Sequence, residues 1–325
     1  KKIDTRLHPL DILFLLRPPM LIPVWTFFLA GYWRGRNIPL RDIPLFMRDS
    51  LVMDGRFWVS FIGYSLLLGS VYIVNQIVDA ESDRINKKLF LIPLNIISVK
   101  SAIVISVILV FVTFSLAVLF RFGIVFEVFL LSSLVLGILY SVKPVRLKGR
   151  PGIDVLSNAV GYGFLAFGMG WLTSSPFSSR LLLCSLPYLF ATATIFSAST
   201  ILDREGDRRD GARTTAVRFG KSTVLAVCLV TLLLSFVSAL FLFDVVIVVT
   251  SVLSLPLLFV ALTGGKREHI TLYMRGASYV FILLIGVLHL WYILLLVLVF
   301  GLSKFYYRSR FGISYPQLLE KSGET

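Results

Sequence analysis

Apolar runs of about twenty residues recur along this chain, and nearly all of its charge is gathered in the short stretches between them. A backbone inside hydrocarbon has no water to bond, so such runs must close their hydrogen bonds internally, as helices or as a closed barrel. No period-2 alternation of the barrel type occurs, which leaves an all-α polytopic membrane protein. The runs are nine, at 18–33, 57–78, 101–120, 124–141, 155–173, 182–202, 223–243, 245–263 and 277–302. The seventh and eighth are parted by little more than Asp244. The first is short and proline-rich, so a kink, or a start before Arg17, is expected there. Only 15% of residues are charged, against about a quarter in soluble domains, and the mean hydropathy is +0.86. A cleavable signal peptide is not expected, because Arg17-Pro18-Pro19 interrupts the first run and no small-residue cleavage site follows.

The formal net charge is +14. Nucleic-acid binders carry their base as a stripe on a soluble fold. Here it lies between apolar runs, which excludes nucleic acid as a partner and points to membrane lipid and an anionic substrate. By side, about 21 of the 32 Lys and Arg fall on the N-terminus, 79–100, 142–154, 203–222 and 264–276, and the positive-inside rule assigns that side to the cytoplasm. The 34–56 loop and the basic tail from Lys304 to Lys321 fall on the other side in a nine-helix count. Cys184 and Cys228 sit inside apolar runs and are expected to pack rather than pair. His8, His269 and His289 are too dispersed for a zinc site.

Two acidic clusters close greasy segments. Asn75, Asp79 and Asp83 stand at i, i+4 and i+8, and Asp203 and Asp207 repeat the spacing four spans later. On a helix this stacks the carboxylates on one face, roughly 6 Å apart along the axis. Either ladder alone is also what a solvated helix end looks like. Two of them on one predicted side suggest two acidic walls facing one cavity, with hard oxygen ligands suited to Mg²⁺ carrying a diphosphate. The repeat suggests a single domain over 1–325 made of two four-helix halves, roughly 10–141 and 142–263, with a ninth helix at 277–302.

Between the fourth and fifth spans lies Tyr140-Ser141-Val142-Lys143-Pro144-Val145-Arg146-Leu147-Lys148. Lys143, Arg146 and Lys148 could clamp a diphosphate, and Tyr140 could donate a hydrogen bond to it. A positive-inside loop explains the same cations. Arg17 could bind an anionic acceptor or snorkel to headgroups.

These three elements, in this order and at these intervals, resemble the UbiA superfamily of intramembrane prenyltransferases over nearly the whole chain. The first family motif is similar to Asn75…Asp79…Asp83. The second is similar to Asp203…Asp207 with Gly211…Thr214…Gly220, and the Tyr-Ser…Arg-Leu-Lys element to Tyr140-Ser141…Arg146-Leu147-Lys148 with Asn158 beyond it. Arg17-Pro18 fits the family's opening. The resemblance implies nine helices around a central cavity, Mg²⁺-dependent use of a prenyl diphosphate, and an acceptor that is often aromatic. The sequence departs from the pattern at Gln76, where many members carry an acid, and at Ile92-Pro93-Leu94-Asn95, where an arginine is common. The Asn-Gln opening and the Gly206-Asp207-Arg208-Arg209 run resemble the homogentisate and chlorophyll branches.

The function expected is transfer of a prenyl group from an allylic diphosphate to a lipophilic or aromatic acceptor, at a site facing the cytoplasm. Asp79, Asp83, Asp203 and Asp207 are the candidate catalytic groups and, with Asn75, the metal ligands. Arg17, Asn75, Tyr140, Lys143, Arg146, Lys148 and Asn158 are the candidate substrate contacts. Two alternatives remain. A divalent-cation transporter would also place carboxylates in a bundle, but needs acids along a path to both faces. An inactive lipid-binding homologue would keep the scaffold without the chemistry.

Overall fold

The computed structural model describes residues 6–38, 40–49, 52–85, 91–209, 211–313 and 315. It is built of helices, α1 (Pro9–Leu15), α2 (Pro18–Gly35), α3 (Ile43–Asp49), α4 (Gly55–Ile85), α5 (Val99–Leu119) and α6 (Ile124–Ser141). A broken span follows, α7 (Ile153–Asn158), a π-helical stretch (Ala159–Ala166) and α8 (Phe167–Ser174). The chain continues through α9 (Ser179–Arg209), the short α10 (Thr215–Phe219), α11 (Lys221–Phe241), α12 (Val245–Gly264), α13 (Arg267–Leu288) and α14 (Leu290–Phe311). Among the described residues, nine helices or helix runs are long and apolar enough to cross a membrane, and the bent pair α1–α2 makes a further candidate.

Local chemistry sets the breaks. Pro18 and Pro19 occupy the first turn of α2, and Arg17 before them is left-handed at φ 55°, so α1 and α2 meet at a 47° bend. Asp244 starts α12 by accepting from the Ile247 amide at 3.1 Å, and Gly265 ends it in the left-handed conformation at φ 59°. The segment 277–302, read from sequence as one helix, is two. The chain reverses at His289, and α14 runs back along α2. Hydropathy did not reveal this because the turn is itself buried: His289 is fully enclosed, with its ring centroid 5.2 Å from Phe46 and 6.3 Å from Tyr32.

The reversal moves the start of the basic tail. Arg310 Nη2 lies 3.0 Å from Asp11 Oδ2, Tyr306 donates to Asp11 Oδ1 at 2.5 Å, and the Tyr306 ring stacks on Phe14 with centroids 3.9 Å apart. The end of α14 therefore sits beside α1, on the N-terminal side of the bundle rather than opposite it. The 34–56 loop stays at the far end, and there three of its cations are occupied. Arg34 pairs with Asp244 at 3.3 Å, Arg36 donates to the Tyr32 hydroxyl at 3.2 Å, and Arg56 lies 4.4 Å above the Phe122 ring.

α2 runs through the middle of the bundle, against α4, α8, α9, α13 and α14. Its crossing with α8 is backbone on backbone: a Cβ on Gly170 would fall 1.7 Å from the Phe28 carbonyl oxygen, and one on Gly31 1.8 Å from that of Phe167. Small residues permit this approach in a membrane bundle, where close packing replaces the hydrophobic effect as the driving force.

Candidate active site

α4 carries the first acidic ladder because its apolar run ends before its helix does. Asn75 and Asp79 are partly exposed on the last turns. The Asp83 side chain lies outside the described residues. Gln76 is turned away from them. It is buried, and its amide donates to the Leu15 carbonyl at 2.8 Å and the Tyr72 carbonyl at 3.1 Å, tying α1 to α4. An acid here would have no proton to donate to Leu15, so the departure from the family pattern has a structural cause. Ile92 likewise is buried beneath α14, in a cluster with Phe14 and Tyr306.

The loop after α6 folds back over α4. Arg146, left-handed at φ 38°, begins a 3₁₀ turn (Leu147–Gly149) that brings Lys148 Nζ to 2.8 and 2.6 Å from the two Asp79 oxygens. Arg146 Nε is buried without a hydrogen-bond partner. Lys143 is exposed. Tyr140 accepts from Asn158 Nδ2 at 3.0 Å, and the same amide nitrogen donates to the Asp154 carbonyl at 2.8 Å. Tyr140 also lies within the electrostatic reach of Asp203. One short loop thus contacts the first ladder, and its Tyr140 lies within electrostatic reach of the second.

At the end of α9, Asp203 is exposed and Asp207 half-buried, with Thr214 donating to Asp207 Oδ2 at 2.8 Å. The sequence reading missed the clasp behind them. Asp154 is buried, and its Oδ2 accepts from the Thr215 amide at 2.7 Å while its Oδ1 accepts from the Thr215 hydroxyl. Thr215 Oγ1 accepts in turn from the Gly152 amide at 2.8 Å. The clasp joins the Tyr140–Asn158 segment to the residues that follow Asp207. Its one sequence signal is the i, i+4 spacing of Asp154 and Asn158.

Arg17 sits at the bend, within electrostatic reach of Tyr72 and Tyr162. Tyr72 donates to the Met20 carbonyl at 3.0 Å, and its hydroxyl is 3.4 Å from that of Tyr162, which the π-helical stretch carries inward. Such π segments are frequent at functional sites. Beyond these tyrosines the bundle is aromatic: the Phe27 ring lies 5.0 Å from Phe281, 6.0 Å from Tyr162 and 6.3 Å from Tyr188, and Tyr162 stacks on Phe196 at 5.4 Å. At the far end Arg34 reaches Asp244 and donates to the Leu242 carbonyl at 2.9 Å. Burial pushes the Asp244 carboxyl up from the ordinary range, and Arg34 opposes that push.

Among the described residues no three acidic, histidine or cysteine side chains converge as a ready-made metal cage. Asn75, Asp79, Asp203 and Asp207 are nevertheless all hard oxygen donors, and Asp79 already holds a cation, Lys148, with both oxygens. This donor set fits Mg²⁺, which takes one or two carboxylates and completes its shell with water and substrate phosphate.

Solved structures share this fold. A structure of digeranylgeranylglyceryl phosphate synthase superposes with a TM-score of 0.66 at 17% identity, covering 86% of this chain and 96% of that one. A UbiA homologue from Archaeoglobus fulgidus, bound to DMAPP and Mg²⁺, superposes with a TM-score of 0.64 at 20% identity, covering 85% and 97%. In sequence, the chain is 33% identical over 167 residues to digeranylgeranylglyceryl phosphate synthase of Sulfurisphaera tokodaii, 50% of this chain and 57% of that protein. It is 31% identical over 188 residues to the chloroplastic 2-acyl-4-prenylphloroglucinol 6-prenyltransferase of Humulus lupulus, 54% of this chain and 45% of that protein. The chain thus spans about half the length of these two relatives. The model of the UbiA prenyltransferase family matches residues 45–269. With that match over more than half of its length, the chain belongs to the UbiA prenyltransferase family.

Proposed function

We propose that this protein transfers a prenyl group from an allylic prenyl diphosphate to a lipophilic or aromatic acceptor within the membrane, with Mg²⁺ as cofactor and the site facing the cytoplasm. The observation that carries this reading is the loop 140–148, which holds Asp79 through Lys148 and keeps Tyr140 within electrostatic reach of Asp203. Mg²⁺ bound by Asn75, Asp79, Asp203 and Asp207 would neutralise the diphosphate and make it a leaving group. Asp83 joins the set by its spacing from Asp79. Arg146, Lys148 and Lys143 would bind the phosphoryl oxygens, and Tyr140, held by Asn158, would donate to them.

The aromatic zone supports the rest of the chemistry. An allylic cation is destroyed by water, and rings such as Tyr162 and Phe27 both exclude water and present π faces to positive charge. The acceptor is placed near Arg17, the cation at the inner edge of the polar end. Orientation rests on charge: with the start of the tail returned to the N-terminal side, the positive-inside pattern is stronger than a nine-helix count gives.

A cation transporter needs alternating access to both faces. The paired Arg34–Asp244 closure and the aromatic middle argue against an acidic path. The test is release of diphosphate by the purified protein from a panel of prenyl diphosphates and acceptors, with Mg²⁺ and with chelator. Asp79→Ala and Asp207→Asn are expected to abolish release while leaving thermal unfolding nearly unchanged. Near wild-type release from both variants, or divalent-cation flux in proteoliposomes without prenyl transfer, would overturn the assignment.

A further inference from the structure

Arg204 and Arg208 are interleaved with Asp203 and Asp207, one residue on and so about 100° round the helix from them. They line a second cleft, of 270 Å³, between the end of α9, the start of α11 and the α12–α13 turn. Lys221 and Arg267 line it too, and Glu205 is its one acid. Its inner wall is apolar, with Ile270 buried beneath the cations. Two of the four cations are fixed by backbone carbonyls: Arg267 Nη1 donates to Leu202 at 2.7 Å, and Lys221 Nζ donates to Gly265. Arginine has five donors and lysine three, so each keeps others to offer. Arg204 Nε is buried with no hydrogen-bond partner at all.

A cleft with an excess of three positive charges, donors held in place and an unpartnered buried guanidinium nitrogen is incomplete without an anion. Guanidinium forks match the oxygens of a phosphoryl group in geometry as well as charge. We propose that this cleft is a binding site for a phosphoryl anion, presented by a lipid headgroup or free in solution, and separate from the acidic ladders. Because its arginines share two helical turns with Asp203 and Asp207, occupancy would also steady the helix end that carries the second ladder.

The test uses the full chain. In nanodiscs of neutral phosphatidylcholine, inorganic phosphate is titrated against chloride at constant ionic strength and the melting temperature followed. In parallel, nanodiscs doped with phosphatidic acid are compared with neutral ones, and bound lipid is counted by native mass spectrometry. A saturable rise with phosphate identifies the free anion as the source. Retention of phosphatidic acid with no response to phosphate identifies the lipid. In either case Arg204→Gln/Arg208→Gln is expected to weaken binding at least tenfold, and Arg209→Gln, which removes as much charge as Arg208→Gln alone but outside the cleft, to leave it unchanged. Should the double variant fail to fold, Arg208→Gln alone, a change to an exposed side chain, is read in the same assays with a several-fold loss expected. No response to either ligand, or equal losses from Arg209→Gln and the cleft variants, would overturn the proposal.

Discussion

Lys148 has two employers in the proposed cycle, and replacing it by methionine separates them. In the protein alone its ammonium serves Asp79, through contacts of 2.8 and 2.6 Å with both side chains partly exposed at 20% and 27%. An ion pair of that exposure contributes about 0.5–1 kcal/mol to stability, so Lys148→Met is expected to move the melting temperature little. A charge-assisted hydrogen bond to a diphosphate is worth about 1.5–3 kcal/mol. Recruiting Lys148 to the substrate breaks the Asp79 pair, which leaves a net loss of about 0.5–2.5 kcal/mol, or roughly 2- to 70-fold in affinity. The assay is equilibrium binding of a non-reactive prenyl thiodiphosphate, with the matching prenyl alcohol as control. Binding of the alcohol should be the same in wild type and variant, since it lacks the group Lys148 would hold. If alcohol and thiodiphosphate weaken together, Lys148 shapes the site without touching the leaving group. If neither weakens, the loop is a positive-inside loop and nothing more.

Two further predictions concern the scaffold. Gly170→Ala places a methyl 1.7 Å from the Phe28 carbonyl oxygen, where no side chain can give way, and should cost about 3 kcal/mol or prevent folding; Gly301→Ala, with nothing within 4 Å of the new atom, should be neutral or slightly stabilising. Similar melting temperatures for the two variants would refute the close α2–α8 crossing. His289 is held neutral by burial, which pushes its pKa down to about 3, below the unfolded value near 6.5. Between those values the unfolded chain takes up a proton that the folded one does not. Stability is therefore complete above the unfolded value and falls as the pH drops, by about 2 kcal/mol between pH 7 and pH 5. His289→Phe should flatten that slope in thermal unfolding, and an unchanged slope would show that other groups cause it.

The spans and ladders were legible because each rests on a local rule: twenty apolar residues make a crossing, and carboxylates four apart share a helix face. Even the bend at Arg17 followed from two prolines. What could not be read depends on burial of a polar residue far along the chain. His289 looked like one polar residue within an apolar run, and only the rings of Phe46 and Tyr32 packed over it show that the chain turns there. Gln76 read as a missing acid because its partner, the Leu15 carbonyl, is 61 positions away. Asp154 looked like a loop acid, since nothing local ties it to Thr215.

The polar contacts that bear on the proposed chemistry differ in how far they are exposed. At the end with the ladders, Lys148–Asp79 is partly exposed and its partners are exchangeable, whereas the Asp154–Thr215 clasp and the Arg310–Asp11 pair are buried and hold the scaffold. At the far end, Arg34–Asp244 is almost wholly enclosed, with side-chain exposures of 11% and 1%. A buried pair of that kind contributes little net stability, but losing one partner strands the other at a cost of about 3–5 kcal/mol. It ties the end of α2 to the start of α12. In the proposed reaction the partly exposed Lys148–Asp79 pair would open to admit a diphosphate and close again behind it. The reactive carbon would meanwhile lie among the rings, an arrangement that prenyl transfer in a membrane requires and that a two-sided channel would forfeit.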